Sequence, residues 1–129
     1  MKTIDRIFGV LLILCCAGHT AGTILLLPAM TGMWVWSLGA ALGGYVLGAL
    51  NIVRAGRTGD RTIAWIAMLG TACWALVALS FNYSIHNMLD PRGLGHFVVS
   101  AVLVGFGVRT LLRSSGAHDP SYAGTAASA

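Results

Sequence analysis

Residues 4–27, IDRIFGVLLILCCAGHTAGTILLL, decide the fold. From Ile7 to Leu27 the run holds no charged residue. A bilayer core about 30 Å thick is crossed by about 20 apolar residues at about 1.5 Å each, and this run has that length. Lys2 and Arg6 precede it, and Pro28 closes it, because proline cannot donate to the helical ladder. The competing reading is a cleaved signal peptide, with residues 8–16 as its apolar centre. Against it, apolar chain continues past Ala17, Gly18, Ala21 and Gly22 into residues 24–27, and no A-x-A site follows. Cys15 and Cys16 also lack the small preceding residue of a lipoprotein site. The helix is therefore expected to be retained.

The rest of the chain repeats this pattern. Of 129 residues, 57% are hydrophobic and only 9% charged, whereas soluble domains carry about 25% charged residues. Too few charges remain to cover a water-soluble surface. The expected fold is all-α: a bundle of four transmembrane helices, up-down-up-down, over residues 5–27, 33–54, 62–85 and 91–113. The small, polar tail, residues 114–129, lacks apolar periodicity and reads as disordered and cytoplasmic. Short links make chain neighbours antiparallel. Trp34 and Trp36 suit a membrane interface. Asp90 and Pro91 suit the cap and first position of the fourth helix.

Charge fixes the expected orientation. Lys2, Arg6, Arg54, Arg57, Arg61, Arg109 and Arg113 fall at one end of such a bundle, and Arg92 alone at the other. The positive-inside rule then places both termini in the cytoplasm of a bacterial-type inner or plasma membrane. The net charge of +4 is a topology signal spread over helix ends, not a nucleic-acid footprint. Asn51 and Arg54 read as interface anchors.

Glycine spacing supplies the packing expectation. Gly18 with Gly22, Gly39 with Gly43, and Gly44 with Gly48 are each four apart, the small-xxx-small pattern that lets helices approach in lipid. The glycines of the second helix serve contacts within the monomer, a homo-oligomer or a larger membrane complex.

Side chains with chemistry gather toward the outer end. His19 lies about 12 Å below the outer end of helix one, and His96 about 8 Å below the start of helix four. Two imidazoles at similar depth on different helices can hold a haem or a metal. Arg92, one turn before His96, can pair with a haem propionate. Haem b and a quinone are the cofactors this pattern allows. Cys15 shares a face with His19, one turn away, and with His96 makes a weaker metal set; Cys73 is at similar depth. Each thiol is more simply a small packing residue. Asn82, Tyr83, His86, Asn87 and Asp90 recur at helix-like spacing and form a polar outer cleft or a solvated helix end. His118 lies in the tail, without such context.

No phosphate loop, H-E-x-x-H or depth-matched Ser-His-Asp set is present. The first expectation is thus a non-catalytic accessory or interaction component rather than an enzyme. The alternative is a haem-, metal- or quinone-binding redox protein using His19 and His96. A small transporter is disfavoured, because no apolar span contains Asp or Glu. Reporter fusions after Pro28, Gly59, Met88 and Gly116 should read outside, inside, outside, inside; an outside signal at Gly59 would overturn this topology.

Overall fold

The computed structural model describes residues 2–57 and 59–115. It contains four helices: α1 (Lys2–Leu26), α2 (Gly32–Gly56), α3 (Arg61–Ser84) and α4 (Pro91–Ser115). No strand occurs among the described residues. Each helix is long and apolar enough to cross a membrane. Their bounds fall within three residues of the expected ones. The backbone of α4 runs two residues past Arg113. The expectation for the remaining tail, His118 included, lies outside the described residues.

Helix starts follow from local chemistry. Thr31 Oγ1 accepts from the Trp34 N–H at 3.3 Å, and Asp60 Oδ1 from the Ile63 N–H at 3.0 Å. Asp90 Oδ1 does the same for the Arg92 N–H at 3.0 Å. Each satisfies one of the donors that a helix start leaves unpaired. The end of α3 is closed by the backbone. The His86 N–H bonds to the Tyr83 carbonyl, and the Asn87 N–H to the Asn82 carbonyl. These are the two bonds of a Schellman motif, with His86 at its left-handed position, φ 54°.

Contacts run in opposite directions along neighbouring helices. A Cβ on Gly9 would meet the Gly48 carbonyl oxygen at 3.0 Å, and one on Gly48 would meet that of Gly9 at 2.9 Å. At that crossing α1 and α2 pack backbone to backbone. One turn further, Gly44 accommodates the Cys16 sulfur and the Trp74 ring. The α1/α2 and α3/α4 pairs pack most closely, and of the chain neighbours α2 and α3 touch least. The buried centre is Leu12, Cys16 and Leu103, with Phe8, Tyr45, Trp74 and Phe106 against it. Leu14, Leu25, Trp36, Leu42 and Leu76 stay exposed on the outer surface, as lipid-facing side chains do.

Two sequence expectations fail here. Among the described residues of the monomer, Gly18, Gly22 and Gly39 have nothing within 4 Å of an added Cβ, so within one chain their spacing leaves open volume where a helix contact was expected. Asn51 and Arg54 are not interface anchors: both are 0% exposed. Helix α1 also carries a buried carboxylate, Asp5, in its first turn, ahead of the charge-free apolar run.

These residues form one network across all four helices. Arg54 Nη2 donates to Asp5 of α1, Nη1 to Thr110 Oγ1 of α4 at 2.9 Å, and Nε to Asn51 Oδ1 at 3.1 Å. Asn51 Nδ2 donates to Thr71 Oγ1 of α3 at 2.8 Å. Arg109 Nη2 lies 3.6 Å from the other Asp5 oxygen. The planar guanidinium suits this role because its donors point in fixed, divergent directions.

Two outcomes follow for thermal stability in detergent. Asp5→Ala leaves Arg54 buried without its counter-charge and should destabilise the bundle by about 3 kcal/mol. The double variant Asp5→Leu, Arg54→Leu should recover much of that loss; equal losses would count against the ion pair. Gly44→Leu should cost about 1–3 kcal/mol through overpacking, while Gly39→Leu should change little. Equal melting temperatures for those two variants would count against the packing assignment.

Candidate functional site

The end opposite the arginine network is open. A cavity of about 580 Å³ lies between α1 and α4, with Gly18, His19 and Gly22 on one wall and Arg92, Gly95 and His96 on the other. A second lobe of about 290 Å³ extends between α2 and α3 against Ala40, Trp74 and Val77. Both lobes are lined by His19 and His96. The histidine pair therefore stands where the two spaces meet. Glycine explains the opening: Gly18, Gly22 and Gly95 face empty space where larger side chains would fill it.

The rings of His19 and His96 are 6.2 Å apart, centre to centre, with planes at 82°. The His19 ring faces the backbone of Ser37 on α2. His96 is held by its own helix: its Nδ1 lies 2.8 Å from the Arg92 carbonyl oxygen. A carbonyl only accepts, so Nδ1 carries the proton. His96 Nε2 pairs with the Cys16 sulfur at 3.9 Å. The indole of Trp74 is 6.0 Å from the His96 ring, and its buried Nε1 has no hydrogen-bond partner among the described residues.

At the rim, Arg92 Nε and Nη2 fork onto the two Asp90 oxygens, each at 2.9 Å. The hydrogen bonds from Arg92 hold the Asp90 carboxyl below the ordinary carboxylate range. The Arg92 guanidinium also lies over the Phe81 ring, 5.6 Å from its centre.

The expected residues thus divide. His19, His96, Arg92 and Cys15 all line the larger lobe. The thiol nearest His96 is Cys16, however, and Cys73 is exposed. Asn82, Tyr83, His86, Asn87 and Asp90 line neither lobe. Asn82 is buried and donates to the Met88 and Asp90 carbonyls, at 3.1 and 3.3 Å, tying the α3–α4 link to α3. His86 terminates α3, and Tyr83 is exposed. That polar stretch builds the helix connection.

Ser37 and Trp74 are site residues that sequence reasoning missed. The signal for Cys16 was present, since it precedes His19 by three positions on one helical face. The signal for Trp74 was not, because a tryptophan inside an apolar run reads equally as core or lipid surface. Among the described residues no three of His, Cys, Asp or Glu converge to hold a bare metal ion. No protein-family model, no characterised protein and no solved structure matches this chain.

Proposed function

We propose that this chain is a small integral membrane protein that takes a planar, amphipathic ligand from the bilayer into the two-histidine cavity. The observation that carries this reading is the convergence of His19 and His96 from different helices onto one apolar space. An apolar pocket with a few converging polar groups is the usual form of a small-molecule site. Polar side chains within membrane helices are costly and commonly mark function. Quinones and haem are the two planar classes that fit this description. The network around Arg54 supports the same division of labour: one end of the bundle is tied shut and the other holds the ligand. The distribution of Lys2, Arg6, Arg57, Arg61 and Arg113 supports a topology with both termini in the cytoplasm, which puts the cavity in the outer half of the membrane.

Trp74 and Trp36 border the second lobe and report on occupancy. Titration of the purified chain with a short-tailed quinone, and separately with haemin, should quench tryptophan fluorescence to saturation with at least one of them. His96→Leu should weaken that binding about tenfold, the loss of roughly one good polar contact. Linear, non-saturating quenching by both ligands would remove the ligand-binding reading and leave an accessory subunit that acts through its outer faces.

A further inference from the structure

We infer that the buried pair of Cys16 and His96 is a site for Cu(I), a soft metal ion of single charge, bridging the Cys16 sulfur and His96 Nε2. The inference goes beyond the planar-ligand reading and does not depend on it. It uses a contact the pair already makes, and it asks nothing of His19.

The first argument is the imidazole. Its Nδ1 donates to the Arg92 carbonyl, which fixes the tautomer and makes Nε2 the acceptor of the Cys16 S–H. A metal-binding imidazole is held in the same way, by a carbonyl or carboxylate on its other nitrogen.

The second argument is distance. With metal–sulfur and metal–nitrogen bonds of about 2.3 and about 2 Å, the two ligand atoms stand roughly 3.5 Å apart around a tetrahedral ion and roughly 4.3 Å apart across a linear one. The sulfur and Nε2 are 3.9 Å apart, wider than a tetrahedron allows. Among the described residues no third His, Cys, Asp or Glu joins them, whereas a structural zinc takes four ligands. Cu(I) is a filled-shell ion that is stable with two, and thiolate is a ligand type that selects it.

The third argument is charge. Cys16 is 0% exposed and lies about 15 Å below the outer end of α1, where a net charge is expensive. Binding breaks the S–H bond and forms the S–Cu and Cu–N bonds. The sulfur keeps the S–H electron pair, and the proton leaves to water at the open end of the bundle. One positive charge replaces another, so the pair stays neutral. A divalent ion in the same place would leave a charge uncompensated.

The fourth argument is the route. Cys16 lines neither lobe, but His96 borders both and touches the thiol. Two further sulfurs, those of Cys15 and Met33, line the larger lobe. Such soft ligands suit the passage of a soft ion and set the route, not the affinity. The Cys16 sulfur and the Trp74 indole both abut Gly44, and the indole is 6.0 Å from the His96 ring. Trp74 therefore stands close enough to report on the ion.

The experiment uses the full chain, reduced and purified in detergent without oxygen, and Cu(I) held by the coloured chelator bicinchoninate. The wild type should withdraw one Cu(I) per chain, and its tryptophan fluorescence should fall in step. X-ray absorption should show sulfur and nitrogen at bonding distance from the copper. The double variant Cys15→Ser, Cys73→Ser should behave as the wild type, which sets the other thiols aside. Adding Cys16→Ser or His96→Gly to that background should weaken Cu(I) binding at least about 100-fold, the upper end of what an outer-shell partner is worth. Free imidazole should restore binding in the His96→Gly variant, which separates a lost ligand from a lost fold. Zn(II) should not survive desalting. The inference is overturned if the wild type leaves Cu(I) with the chelator, if Cys16→Ser binds as its parent does, or if Zn(II) is retained in preference. The quinone and haemin titrations are run without copper, so the planar-ligand reading stands or falls separately.

Discussion

The structure depends on where Arg54 puts its charge. A guanidinium removed from water must be met by hydrogen-bond acceptors and a counter-charge, or its burial costs several kcal/mol. Asp5, Asn51 and Thr110 supply these from three helices, and Asn51 hands the connection to Thr71 on the fourth. Each member fixes its neighbour's geometry. In lipid, burying apolar surface gives helices little reason to associate, because the surroundings are as apolar as the side chains. Polar bonds and close packing must then specify the arrangement. The network supplies the first, and the Gly9–Gly48 crossing supplies the second.

The two ends of the bundle differ for the same physical reason. Where side chains bond across helices, or where missing Cβ atoms let backbones touch, the space is closed. Where glycines stand without a partner, as at Gly18, Gly22 and Gly95, the space stays open. Glycine therefore has two opposite uses within this one chain. The difference lies in what stands across from it: the backbone of α1 at Gly48, and an empty lobe at Gly22.

Histidine shows a similar split. His96 is aimed by a bond within its own helix, and its other nitrogen meets the Cys16 sulfur, with Trp74 and His19 nearby. His86, ten residues earlier, has no such role. It occupies the left-handed position that ends α3, which few residues other than glycine and asparagine take readily. Equal chemistry in the side chain meets different surroundings because the backbone places one ring against the cavity and the other at a helix end.

The sequence by itself determined the helices. Apolar run length, capping residues and the prolines at 28 and 91 are local, and their consequences are felt within a few residues. It also brought His19 and His96 to similar depth, with Arg92 one turn nearer the outer end, because depth along a helix is counted at a fixed rise per residue. Only the tertiary structure decided which faces meet. Periodicity shows that Gly18 and Gly22 share a face but not what stands opposite. It places Arg54 at a helix end but not inside the bundle. Asp5 gave no warning either: four residues into the first helix, it reads as a start signal until Arg54 is brought across from α2. Rotation of one helix against another is set by the sum of many weak contacts between residues far apart in the chain. No single stretch of sequence contains that sum.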